Sequence, residues 1–486
     1  MNFNHVSIRG LLFFAMASVA LSGELDKNLQ KGFDSIQPMD PYNYCKTLAL
    51  PEFAGRLTGH EGYTAAATWA AEKFRQWGLK PISPSQGYLQ AYPSPYTLID
   101  TATMTLFHVK KEGESAAEIP LTAGADFLPL LFSDNGYNRA ALVFAGWGIS
   151  APELGYDDYA GIDVAGKFIL CFRGTPGQDQ NQFEKYDHHR HRMATAKERG
   201  ALGIFYIYPE AIANPNGDWI KGFTPAMITE KIADVIFEEK NVTCADLKKV
   251  LTTYNRPLSF QLHSEMHFAV QSRHFPDATG YNIIGFVEGS DPQLKNECLV
   301  YGAHFDHCGL HLNMLFAGAN DNASGSAVVM EIAEAFSQLD TKPKRSVAFV
   351  LFGGEEVGLI GSTYFVAHVP ASFKKLDSMF NFDMVGPGDG TSCGFSANAV
   401  GFKEILQQAD QFVHTLRSTW EINHVGVRSS DFAPFFWNGV QCASFYSNGP
   451  HLHYHKTGDT IYRINPDMLA DISRLAFLSG FFWANR

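Results

Sequence analysis

Between Tyr63 and Trp77 the apolar residues Ala66, Ala70, Phe74 and Trp77 recur at three- and four-residue steps, the spacing that lines one face of an α-helix. Gly78 follows at once as a stop, and FAGRLTG (Phe53–Gly59) ahead of it reads as a loop. Further on the texture changes. ALVFAGWGI (Ala141–Ile149) and GKFILCFRG (Gly166–Gly174) are short β-type runs bounded by Gly, Pro and Asp. RMATAKERGALGIFYIY (Arg192–Tyr208) predicts a helix, a glycine break and a strand. Together they outline a self-contained α/β module over residues 105–275. Beyond it, strands ending in polar loops alternate with helices: ECLVYGAHFDH, ASGSAVVMEIAEAF, SVAFVLFGGEE and SMFNFDMVG. That alternation predicts an α/β fold with a mixed, mostly parallel central sheet flanked by helices. Ligands of such sheets gather beyond the carboxyl ends of the strands.

The length of 486 residues exceeds what one hydrophobic core normally organises, so the expected division is one domain over 23–104 and 276–486, interrupted by the 105–275 module. A hydrophobic share of 45% with 18% charged residues is globular composition. The net charge of −12 excludes nucleic acid as a partner, because phosphate binding needs a basic surface. Residues 1–22 carry one Arg, an apolar run from Leu11 to Leu21 and small residues at Ala20 and Ser22, the pattern of a signal peptide. The mature protein is therefore expected to be secreted or periplasmic, with no membrane span after signal removal. Seven cysteines are scattered without a CxxC pair, which excludes a zinc-thiolate cluster and leaves at least one thiol free or paired between chains. Asn241-Val242-Thr243 is a glycosylation sequon, meaningful only in a eukaryotic secretory host.

The chemistry concentrates at the predicted strand ends. His304 and Asp306, then Asp321, then Glu355 and Glu356, then Asp383 each fall in such a loop, and HLHYHKTGDT near the C-terminus adds His451, His453 and His455. A single aspartate there is usually a turn residue; their recurrence on one sheet edge is what points to a site. Imidazole and carboxylate donors without thiolate suit zinc or a similar divalent ion. Glu355 and Glu356, side by side after an apolar run, are costly to desolvate unless positive charge sits beside them.

The motifs GAHFDHCG, GANDNASGSAVVMEIA, FGGEEVGLIGSTYF, NFDMVG and YHKTGDT, in that order, resemble those of the co-catalytic dizinc metallopeptidases (clan MH) of the bacterial leucine-aminopeptidase type, relatives of glutamate carboxypeptidases and glutaminyl cyclases. The resemblance runs from about Asp277 to the C-terminus and includes FAGRLTG to WGLKP. It implies a zinc-exopeptidase, phosphorylase/hydrolase-like fold. The intervening module, with AGWGISAPELGYDDYAGIDVAGK, resembles an inserted protease-associated (PA) domain. By motif position the resemblance assigns one of two zinc ions to His304, Asp321 and Asp383, and the other to Asp321, Glu356 and His455, with Asp321 as bridge. Glu355 is left as general base and Tyr454 as a hydrogen-bond donor to the oxyanion. Asp306 is expected to accept the other N–H of His304, with Asp459 a candidate acceptor for His455. His307 reads as a surface loop residue, and DHHRHR (Asp187–Arg192) as a solvated loop or helix start. In GVRSSDFAPFFWNGV (Gly426–Val440), Phe432 stands where the family has histidine, which bears on the specificity pocket.

The activity so implied is an exported aminopeptidase acting on peptides. A dizinc carboxypeptidase is the first alternative, with only Arg428 near these motifs as a carboxylate grip. A glutaminyl cyclase keeps one metal and part of this ligand set. A non-catalytic peptide-binding protein would be expected to have lost Glu355 or a ligand.

Overall fold

The computed structural model describes residues 24–83, 85–177, 180–388, 393–397, 400–413 and 430–486; residues 1–22 and Arg428 lie outside them. The described residues build two eight-stranded sheets, each with its own buried hydrophobic core. In the first, Ser346–Phe352, Glu297–His304, Lys375–Phe382 and Gln441–Ser447 run parallel at the centre. Thr279–Val287 and Cys393–Ala397 flank them antiparallel. Ser346–Phe352 is buried at every position, as expected for a strand with helices on both faces. The α/β reading therefore holds, with a mixed sheet whose centre is parallel.

Helix Glu61–Gln76 packs on this sheet through Ala66, Ala70 and Phe74, all fully buried. His60 caps its start by accepting the Gly62 N–H at 3.0 Å, and Gly78 (φ +72°) ends it in the left-handed conformation that favours glycine. Helix Gly325–Ser337 is buried almost all round, which fixes the loop that leads into it.

The second sheet runs in the order Ala117–Leu121, Tyr96–His108, Ser259–Phe275, Gly136–Ala145, Phe168–Phe172, Gly203–Tyr208, Ala226–Thr229, Phe127–Pro129. It takes in Tyr96–Met104, which the sequence pattern assigns to the first domain. The long antiparallel pair Tyr96–His108 with Ser259–Phe275 is the double connection between the two sheets. Asp187–Arg192 does begin a helix, His189–Glu198, but is not solvated there: Arg192 is fully buried and donates to the Trp147 carbonyl at 2.8 Å. Among the described residues no helix is long and apolar enough to cross a membrane, and Cys45, Cys171, Cys244, Cys298 and Cys308 are buried free thiols.

Candidate metal centre

His304 ends the strand Glu297–His304, Glu355 and Glu356 follow Ser346–Phe352, and Asp383 follows Lys375–Phe382. These are three neighbouring parallel strands, so the side chains converge on one sheet edge. The two glycines before the glutamates make that possible. A Cβ on Gly353 would stand 2.2 Å from the Tyr63 hydroxyl. Gly354 has φ +71° and donates to Thr58 Oγ1 at 2.8 Å. Asp321 comes from the turn before helix Gly325–Ser337, and Asn322 locks it in place. The Asn322 amide donates to the Phe382 carbonyl at 2.8 Å and accepts from the Met384 N–H at 3.2 Å, tying the Asp321 turn to the Asp383 loop.

Asp321 places Oδ1 3.3 Å from His304 Nε2 and Oδ2 3.3 Å from His455 Nε2. Asp383 Oδ1 lies 3.3 Å from His304 Nε2, and Glu356 Oε2 lies 2.9 Å from His455 Nε2. Asp321 Oδ2 and His455 Nε2 are nonetheless buried without a hydrogen bond. Short separations lacking hydrogen-bond geometry are what donors gathered around a cation give. The electrostatics agree. Burial opposes ionisation of Asp321, yet His304 and His455 hold its carboxyl well below the usual range. Burial likewise opposes charge on His304, but Asp383 and Glu355 raise its pKa well above the ordinary value. His455 is raised in the same way against burial, by Glu356 and Asp321. Glu356, which burial alone would raise, is held down to about 2 chiefly by His455. The field thus favours positive charge among these side chains, and a donor set of two imidazoles with three carboxylates fits divalent metal.

Glu355 differs from its neighbour. Burial first, then the charges of Glu356, Asp431 and Asp383, push its carboxyl well above the usual range. Tyr454 stacks on the His455 ring with centroids 3.8 Å apart and keeps 45% of its surface exposed. Desolvation, then the charge of Asp321 and Glu356, raises its phenol, so it stays a donor at neutral pH. A cavity of about 610 Å³ opens beside it, walled by Asn320, Gly388, Leu452, Tyr462 and Arg463.

Three sequence-based expectations need correction. The Asp306 carboxylate does not take the His304 N–H: its Oδ1 is 3.9 Å from Nδ1, which faces the Asp306 backbone carbonyl at 3.2 Å. Its oxygens instead accept the N–H groups of Glu355 and Glu356 at 3.2 and 3.3 Å, because the adjacent strand end presents two successive amides there. Asp459 does not support His455 but accepts the amides of Asn320 and Asp321, both at 2.9 Å; the turn before the helix leaves those donors open. His307 is no surface residue. It is fully buried, with Nδ1 2.7 Å from Glu356 Oε1, because its loop folds back so that the His307 N–H donates to the Arg56 carbonyl at 3.2 Å.

Two further residues escaped the sequence. Arg56 is fully buried and donates to the carbonyls of Phe305 (2.9 Å), Leu48 (2.6 Å), Ala317 (2.8 Å) and Gly318 (2.8 Å), holding the loops on which His304 and Asp321 sit. Asp431 is fully buried, and burial raises its pKa to about 7. Its place beside Ser430 in SSDF was the only signal.

Residues 282–479, which carry every one of these strand-end groups, match peptidase family M28. That match covers less than half of the chain and makes this part of it similar to M28 peptidases. Among similar proteins, leupeptin-inactivating enzyme 1 of Streptomyces exfoliatus is 35% identical over 36% of this chain and 37% of its own length. An aminopeptidase of Pseudomonas aeruginosa is 28% identical over 85% of this chain and 74% of its own. The chain thus spans little more than a third of the former and about three quarters of the latter. The solved aminopeptidase of Aneurinibacillus sp. strain AM-1 superposes with a TM-score of 0.64 at 20% identity, covering 93% of this chain and 95% of that one. At that identity the likeness speaks for the fold.

Proposed function

We propose that this chain is an exported, zinc-dependent aminopeptidase of the M28 type that removes N-terminal residues from peptides. In this reading the domain formed by 23–104 and 276–486 is catalytic, and 105–275 is an inserted PA-like module. The observation that carries it is Asp321, which offers one oxygen to the His304 side and the other to the His455 side. Two cations a few ångströms apart repel strongly, and a shared carboxylate lowers that cost. His304, Asp321 and Asp383 would hold one zinc ion, and Asp321, Glu356 and His455 the other. When bound, the pair supplies Lewis acidity, acidifying a water and polarising the peptide carbonyl.

The remaining work falls to side chains. Glu355 has no ligand role and a desolvated carboxyl of high proton affinity, which suits it to take the proton of the attacking water and return it to the departing amine. Tyr454, protonated beside His455, donates to the carbonyl oxygen as negative charge builds there. The cavity past Tyr454 gives the rest of the peptide a path out of the site. The neighbours named aminopeptidases favour release from the N-terminus.

One short peptide supplied free, N-acetylated and C-amidated to the zinc-loaded protein tests this, with mass spectrometry following the products. Stepwise N-terminal loss, blocked by acetylation and not by amidation, is expected. Loss from the other end would overturn the aminopeptidase assignment and make the same centre a carboxypeptidase.

A further inference from the structure

The His455 imidazole has its Nε2 among the carboxylates, and its other nitrogen must find a partner if the ring is to stay put. That partner is not in the catalytic domain. His455 Nδ1 lies 2.9 Å from the carbonyl of Ala213, and the Ala213 N–H donates back to the His455 carbonyl at 2.9 Å. Ala213 belongs to the second module, in an irregular stretch between the strands Gly203–Tyr208 and Ala226–Thr229. The reciprocal pair matters because His455 has φ +53°, a left-handed conformation that costs a residue with a Cβ about 1 kcal/mol. Such a conformation persists only where surroundings hold it.

Other contacts from the second module reach the catalytic loops. Glu210 pairs with Lys456, the residue after His455. Arg190 donates to the Val357 carbonyl at 2.8 Å, capping the turn in which the Gly358 and Leu359 N–H groups return to the Glu355 carbonyl at 2.9 and 3.0 Å. The same guanidinium donates to Asn216 Oδ1 and Asp218 Oδ1, both at 2.7 Å. The stretch is itself fastened to its module. The Asn214 carbonyl accepts the Leu131 N–H at 3.1 Å, and the Asn214 amide meets His189 Nε2 at 2.9 Å. In the other direction, Cys308 and Phe316 of the catalytic loops pack into the second module's core.

We infer that the second module is a structural part of the metal centre: residues 210–218 with Arg190 form a clasp that orients His455 and the Glu355–Glu356 turn. Ala213, Asn214 and Arg190 are positioning residues, since none touches the reacting atoms. Through the Ala213 carbonyl the imidazole is fixed with Nδ1 protonated and Nε2 free to bind metal, the arrangement that ligating histidines need. The inference rests on the reading of His455 as a zinc ligand and adds to it that the ligand's geometry is set from outside the catalytic domain.

Three variants of the full chain test it: Ala213→Pro, which removes the N–H given to His455; Asn214→Ala, which loosens the stretch through a side chain alone; and Arg190→Ala. The readouts are zinc dissociation constants from chelator competition, the spectrum of the cobalt(II)-loaded protein, kcat and KM separately, and the thermal transition. Loss of an outer partner of a metal-bound histidine weakens metal binding by about 10- to 100-fold. Ala213→Pro keeps the carbonyl but frees the backbone that aims it, so a loss approaching that range is expected at one of the two sites, with a smaller loss in Asn214→Ala and an altered cobalt spectrum in both. Arg190→Ala is expected to lower kcat more than it raises KM, with both zinc ions retained. Should Ala213→Pro fail to fold, Asn214→Ala and Arg190→Ala decide the matter. Zinc affinities, spectrum and kcat all within about twofold of the parent in folded variants would overturn the clasp; about twofold is the scatter that separates no effect from the loss above. A parent protein that binds fewer than two zinc ions, or a His455→Ala variant that loses none, would overturn the underlying zinc reading instead.

Discussion

Arg56 is the group whose removal most directly tests how this site is held. Its guanidinium is fully buried and donates to four backbone carbonyls, those of Leu48, Phe305, Ala317 and Gly318. Hydrogen bonds from a charged donor contribute about 1.5–3 kcal/mol each, so the gross stabilisation is about 6–12 kcal/mol. Against it stands desolvation, which is large enough to lower even the arginine pKa here and costs several kcal/mol for a buried ion. The balance is about 3–5 kcal/mol, the usual loss when one side of a buried charged contact is removed. Arg56→Met should therefore destabilise the metal-free protein by about that much in urea unfolding followed by tryptophan fluorescence. Metal-free protein is the right reference because bound zinc adds its own stabilisation. Arg56→Lys keeps the charge but loses the planar fork, and should fall about halfway between. A shift below about 1 kcal/mol for Arg56→Met, within the range of an ordinary surface substitution, would refute the reasoning. It would mean that the four carbonyls find other donors and that the loops carrying His304 and Asp321 do not depend on Arg56.

Other perturbations separate the roles assigned above. Glu355→Gln should lower kcat by about 10²- to 10⁴-fold, the range for loss of a general base, with zinc content and KM little changed; a fall in zinc content would make Glu355 a ligand instead. His307→Ala removes the contact at 2.7 Å to Glu356 Oε1 and should weaken zinc binding by about tenfold or more, as loss of a partner to a ligating carboxylate does, measured by chelator competition. Glu331, buried on helix Gly325–Ser337 away from the metal centre, has its pKa raised from 4.5 to about 9, first by burial and then by Glu334 and Asp40. A raised carboxyl binds its proton more tightly when folded, so stability falls as pH rises from about 4.5 and levels off near 9. At pH 7 the cost is at most 7 − 4.5 = 2.5 units, about 3 kcal/mol. Glu331→Gln should therefore stabilise by about 1–3 kcal/mol at pH 7 and by little at pH 4, read from urea midpoints at the two values; an equal effect at both would remove the ionisation argument.

The sequence carried the fold where periodicity and burial agree and lost the site where support comes from distant backbone. Ala66, Ala70 and Phe74 announce a helix because its buried face repeats with the helical period, and that face is buried as read. The strand ends at His304, Glu355, Glu356 and Asp383 were legible because a parallel sheet delivers them to one edge whatever the loops do. What holds those side chains was not legible. Asp306 and Asp459 look like partners for the histidines two residues or four residues away in sequence, yet both turn to backbone amides on other segments. A carboxylate near a turn end finds two convergent N–H groups as readily as an imidazole, and nothing in the order of residues says which. Arg56 donates only to carbonyls, and Ala213 meets His455 through its main chain, so neither leaves a side-chain pattern to read. His307 failed for a related reason: polarity suggested a surface, whereas the cluster of carboxylates around it supplies the partner that lets an imidazole be buried. Direct metal donors are fixed by residue type, because only certain side chains bind zinc. The groups that orient them are chosen by geometry, and that choice is made where separate parts of the chain meet.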